Sequence, residues 1–233
     1  MTEEEWLQGV NVGILIEGLR RAFKAARTKA GKRRLRLFAS ACLRRVWDLL
    51  EPESREILDR LEAVCDGREP EYNLKTLIEM AESRSAFHWS KDDWDVATRH
   101  AVAGPALPPS VSATTAAVSV HSIRRIRAKE PGPPRGGLVE YHRLLQEAIA
   151  QESAVQVAIL RDIFGNPFAP FQKRGFPAEL RGLAKAWSAG DTKVLPVLID
   201  ALTDFGEEGA AAHLRQPLHV RGCHVIDWVI GRA

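Results

Sequence analysis

The sequence predicts an all-α protein: a multi-helix bundle, two helical lobes packed together, with no significant sheet. Three observations predict it. Apolar residues recur at three- and four-residue spacing along most of the 233 residues. No stretch sustains the two-residue alternation of a half-buried strand. Gly, Pro and Asp-Gly breaks cut the pattern into lengths that suit helices. The chain is long enough to bury a sizeable core, and no apolar run approaches the roughly 18 residues of a membrane-spanning helix. The acidic N-terminus lacks a signal-peptide apolar region. Cys42, Cys65 and Cys223 are odd in number and widely spaced, as expected of reduced thiols in a cytoplasmic protein.

Taken in order, Thr2-Glu3-Glu4-Glu5 reads as a capping box opening a short helix anchored by Trp6 and Leu7. Val12, Leu15, Ile16, Leu19, Phe23 and Ala26 form the next apolar face, which Gly31 is expected to break. Leu35, Phe38, Cys42, Val46 and Leu49 make a further stripe, and Pro52 sits in the first turn of a helix carrying Ile57, Leu58, Leu61 and Val64. Leu74, Leu77 and Ile78 continue toward Phe87. Ser90-Lys91-Asp92-Asp93 looks like another helix start, Gly104–Pro109 is a breaker, and 110–129 is expected to be helical. Leu138 to Phe164 reads as one long helix. Pro177 then opens a helix bearing Leu180, Leu183 and Trp187; Asp191 caps the next, in which Pro196 marks a kink or a shifted start. A short helix holds Ala210 to Leu214, and Gly222 to Ile230 closes the chain. The Pro/Gly run at 131–137 is the strongest linker. It sets the expected boundaries at 1–130 for an N-terminal lobe with basic helices and 138–233 for a C-terminal lobe.

The long helix runs into Leu160-Arg161-Asp162-Ile163-Phe164-Gly165-Asn166-Pro167-Phe168. Gly165 suits a helix C-cap and Pro167 prevents continuation. Phe164, Phe168, Phe171 and Phe176 fall within thirteen residues. Such rings either pin a wrapped connector to the helices or offer an aromatic surface to another protein.

Several segments together resemble a family of planctomycete proteins. They are Thr2-Glu3-Glu4-Glu5-Trp6-Leu7, Leu35-Arg36-Leu37-Phe38-Ala39, Cys42 with Arg44-Arg45-Val46-Trp47, the Leu160–Phe168 segment, and His219-Val220-Arg221-Gly222-Cys223. The resemblance covers both ends of the chain and implies a helical fold but no particular activity. The chain departs from the family pattern in its lone Cys42 and in a middle interrupted by two proline clusters.

Three groups of residues carry candidate chemistry. His213, His219, Cys223 and His224 are zinc-ligand types within twelve residues. Adjacent Cys223 and His224 would point to different faces of a helix, so at best three of the four converge; the metal set considered is His213, His219 and Cys223, with a metal- or thiol-dependent enzyme around Cys223 as the corresponding function. The ordinary alternative is a small buried cysteine among turn histidines. Net charge is +3, yet residues 1–50 hold eleven Lys and Arg against five acidic residues. Arg20, Lys24 and Arg27 share a helix face and, with Arg33 and Arg34, suit salt-dependent phosphate binding by a nucleic acid; Arg124, Arg125, Arg127 and Lys129 extend the patch. The alternative is a solvated face paired with acids. Asp92, Asp93 and Asp95 offer carboxylates to a hard cation or simply complement a helix dipole. The chain has no Gly-x-Gly-x-x-Gly, Walker, His-Glu-x-x-His or Gly-x-Ser-x-Gly motif. The leading expectation is therefore a non-catalytic helical module that binds another protein, with nucleic-acid association as the alternative.

Overall fold

Local signals mark several of the helix starts, two of them side-chain caps and two of them prolines in the first turn. The computed structural model describes residues 1–87 and 137–232, and among these it contains ten α-helices and no strand. They are α1 (Glu3–Gln8), α2 (Val12–Ala22), α3 (Lys29–Arg44), α4 (Pro52–Cys65), α5 (Asn73–Phe87), α6 (Gly137–Phe164), α7 (Ala178–Ser188), α8 (Leu195–Asp204), α9 (Glu208–Leu214) and α10 (His224–Ile230). Asn11 caps α2 by accepting from the Ile14 N–H at 3.1 Å, and Thr28 caps α3 by accepting from the Gly31 N–H at 3.0 Å. Pro196 takes the second position of α8, a shifted start rather than a kink. No helix among the described residues is long and apolar enough to cross a membrane.

Gly31 does not break a helix. It lies buried in the first turn of α3, where a Cβ would come within 2.1 Å of the Ala25 carbonyl oxygen. The break falls earlier, where Lys24 takes φ 52°. Close backbone approach, not helix termination, is what requires glycine here.

The helix expected over 110–129, the acidic group Asp92–Asp95 and the basic group Arg124–Lys129 lie outside the described residues, as do positions 131–136 of the expected boundary. The chain divides into two units, Glu3–Val157 and Ala158–Ala233, with the division inside α6. In the first, Trp6, Leu15, Ile16, Leu19, Phe38, Leu58 and Leu61 are fully buried. A polar seam runs beside this core: Glu62 on α4 accepts from Ser40 and Arg44 on α3, and Glu152 on α6 accepts from Arg45 and Gln156. In the second unit, α7 to α10 bury Leu180, Ala184, Leu198, Leu202, Leu214, Val225 and Val229 against one another. This core positions the site described next.

Candidate metal centre

Ile159, Leu160 and Ile163 turn the apolar stripe of α6 into the core, and Asp162 is buried beside them. A carboxylate in the last turn of a helix opposes the helix dipole, so its burial there needs partners. It has three. Oδ2 accepts from the Val220 N–H at 2.9 Å. Oδ1 lies 3.0 Å from His213 Nε2 and 2.9 Å from His219 Nδ1. Burial pushes the Asp162 carboxyl up, but the hydrogen bonds from His213, His219 and Val220 outweigh it and hold the group at about 2.

His213 comes from the last turn of α9. His219 and Val220 come from the connection between α9 and α10, which Gly222 turns at φ 90°. Cys223 is the residue before α10 and is wholly buried. Its Sγ lies 3.4 Å from His213 Nε2 and 3.9 Å from His219 Nδ1. The four donor atoms, from Asp162, His213, His219 and Cys223, all lie within 4.8 Å of one another. Around a tetrahedral zinc ion, nitrogen and oxygen ligands stand about 3.3 Å apart, and nitrogen and sulfur about 3.6 Å apart. The nitrogen–sulfur separations bracket their edge, while the nitrogen–oxygen separations, 3.0 and 2.9 Å, are shorter than theirs and at hydrogen-bond length.

Proton placement sharpens this. His219 Nε2 lies 3.2 Å from the Leu214 carbonyl oxygen. A carbonyl only accepts, so Nε2 carries the proton. The lone pair on Nδ1 then faces a carboxylate oxygen at 2.9 Å, which is repulsive unless a cation lies between them. That cation is either a second ring proton or a metal ion. An outer N–H donated to a backbone carbonyl is also how metal-ligating histidines are held. His224, the chain neighbour of Cys223, turns elsewhere: its Nδ1 donates to the Asp162 backbone carbonyl at 2.8 Å.

The same geometry argues against a thiol nucleophile. A Cys-His-Asp relay places thiol and carboxylate on opposite nitrogens of one imidazole. Here they meet on the same nitrogen of His213, and again on the same nitrogen of His219. Burial and the neighbouring Asp162 carboxylate push the Cys223 thiol well above its ordinary value, the opposite of an activated cysteine.

The structure thus brings His213, His219 and Cys223 together and adds Asp162, which lies 51 residues before His213 in the chain. One sequence signal points to Asp162: an acid at the end of a helix, set in the apolar run Leu160-Arg161-Asp162-Ile163-Phe164. The four phenylalanines divide. Phe164 and Phe176 are buried, while Phe168 and Phe171 are 37 % and 36 % exposed. Of the basic residues, Arg20 pairs with Glu17 and Arg33 with Asp66, Arg34 is half-buried, and Lys24 and Arg27 are exposed. Glu207 is taken by Arg174. No protein-family model, curated protein or solved structure matches the chain.

Proposed function

We propose that this protein is a non-catalytic helical module whose second unit is organised by a bound divalent metal ion, zinc by preference. The observation that carries this reading is the convergence of four donor atoms from three separate segments to within 4.8 Å of one another. Charge supports it. Asp162 and a Cys223 thiolate supply two negative charges and the imidazoles none, so a divalent ion makes a neutral, buried set. A monovalent or trivalent ion would leave a net charge in the core. Zinc tolerates this mixed sulfur, nitrogen and oxygen set without geometric preference of its own. Four protein ligands close the coordination sphere, as in structural rather than catalytic zinc sites.

The test is metal content of the full chain purified from zinc-supplemented cells, followed by exchange for Co²⁺. About one ion per chain is expected, with the thiolate-to-metal absorption and intense visible bands of a tetrahedral cobalt–thiolate site. Cys223→Ser should abolish the thiolate band. A chain that retains no metal in this preparation and binds no Co²⁺ overturns the reading.

A second reading, binding of another protein, is favoured by Leu7, Val10 and Ile14 in the first unit, which are 53 %, 76 % and 69 % exposed. Its test is whether Ile14→Glu abolishes retention of a partner by the full chain without moving its thermal midpoint. Unchanged retention would remove that surface from consideration.

A further inference from the structure

Cys223 is joined in the chain to a residue that faces the other way. The His224 ring stacks on Phe171 with centroids 5.6 Å apart and planes 13° apart. Phe171 stacks in turn on Trp228, one helical turn farther along α10, at 4.3 Å and 14°. Trp228 Nε1 donates to the Gln172 carbonyl at 2.8 Å. At the other end of this segment, Gly165 takes φ 65°, and a Cβ there would lie 2.6 Å from His224 Cδ2. The segment between Gly165 and Phe176 has no helix of its own. It is held to α10 by the Phe171 stack on His224 and Trp228 and by the indole bond, and near its end by Arg174, which pairs with Glu207 and lies over Phe205.

Resting on the metal reading above, we propose that this centre works a clasp: metal at Cys223 sets the first turn of α10, and His224 passes that position to the Phe171 segment, docking it on Trp228. The physical reason is length. A helix of seven residues is held by what it packs against: Val225, Ile226 and Val229 fix the body of α10 in the core, while its start, after the bend at Gly222, is held through Cys223 and His224. A ligand bond at Cys223 therefore fixes the start of α10, from which His224 reaches the ring stack. Without it, that first turn and the aromatic segment docked on it open more often, while the buried core of α7 to α10 keeps its packing.

The segment carries its own reporter, because Lys173 and Arg174 are exposed trypsin sites. The full chain is compared in its zinc-loaded, chelated and zinc-reconstituted forms by limited trypsin digestion, with cut sites mapped by mass spectrometry and zinc measured in each sample. Cleavage that requires local opening tracks the population of the open form. Zinc is expected to slow cutting after Lys173 and Arg174 about tenfold, with no change after Arg181 and Lys185 in α7. His224→Ala, which keeps all four ligands, is expected to bind zinc yet be cut at the chelated rate in both forms. A wild type that binds zinc but is cut equally with and without it refutes the clasp and leaves the metal reading standing. Faster cutting in α7 on chelation also refutes it, since the metal would then support the whole unit. So does a His224→Ala variant that loses zinc or stays zinc-protected. A wild type that binds no zinc removes the metal reading itself.

Discussion

Replacing Asp162 with Asn removes one negative charge with almost no change of shape. In the metal-free protein burial raises the Asp162 carboxyl, yet the bonds from His213, His219 and Val220 hold it at about 2, against an ordinary 3.8. That gap of nearly two pH units corresponds to about 2 kcal/mol of folding stability at 1.36 kcal/mol per unit. The folded value lies below the unfolded one. The contribution is therefore complete above about pH 4 and vanishes as the pH falls through about 2. Asp162→Asn is expected to be about 2 kcal/mol less stable than wild type at pH 7, and the difference should close between pH 4 and 2. The assay is urea unfolding in the presence of chelator, followed by hydrogen exchange of peptides from α7 to α10. The midpoint should move by about 1–2 M urea, given the slope of a small domain. A difference that persists unchanged to pH 2 would assign the loss to packing rather than charge. An Asp162→Asn variant as stable as wild type at pH 7 would refute the argument that the imidazoles and Val220 stabilise the ionised form.

Three further outcomes are expected. Because the Cys223 thiol is pushed well above its ordinary value, it is protonated without metal; zinc binding should release a proton, and affinity should fall as the pH is lowered. Calorimetry in buffers of different ionisation enthalpy reads the proton count directly. Gly165→Ala forces a side chain into φ 65° and onto His224; it is expected to cost about 1–3 kcal/mol, measured as a lowered midpoint for the second unit alone. Glu62→Ala leaves Ser40 without its buried acceptor and Arg44 with Asp59 as its remaining ion-pair partner and is expected to destabilise the first unit by about 1–3 kcal/mol, with no effect on metal content.

The helices were legible in the sequence because what makes them is local. The i, i+3, i+4 stripes, Pro52 and Pro196 at helix starts and the stop at Gly165 all act within one or two turns. Cys223 and His224 do diverge, but not by the helical spacing expected of them: Cys223 stands before α10 in a non-helical conformation, and only His224 is on the helix. Gly31 shows the limit: glycine reads as a breaker by propensity, but its role is to admit the Ala25 carbonyl, a contact that exists only once the chain has folded back. The phenylalanines show it again, because identical rings in one short segment end up either buried, as Phe164 and Phe176 are, or exposed, as Phe168 and Phe171 are.

The centre itself divides along this line. Residue order alone concentrates ligand-type side chains at His213, His219 and Cys223, and makes the chain stop and turn after Phe164. Folding in three dimensions adds that Asp162 joins them, that His219 spends its proton on Leu214, and that all four donors face one point. Helical periodicity carries no record of which turn of α6 meets the α9–α10 connection. That meeting is set by the packing of α7 to α10 into one core, a property of side-chain shapes summed over the whole unit.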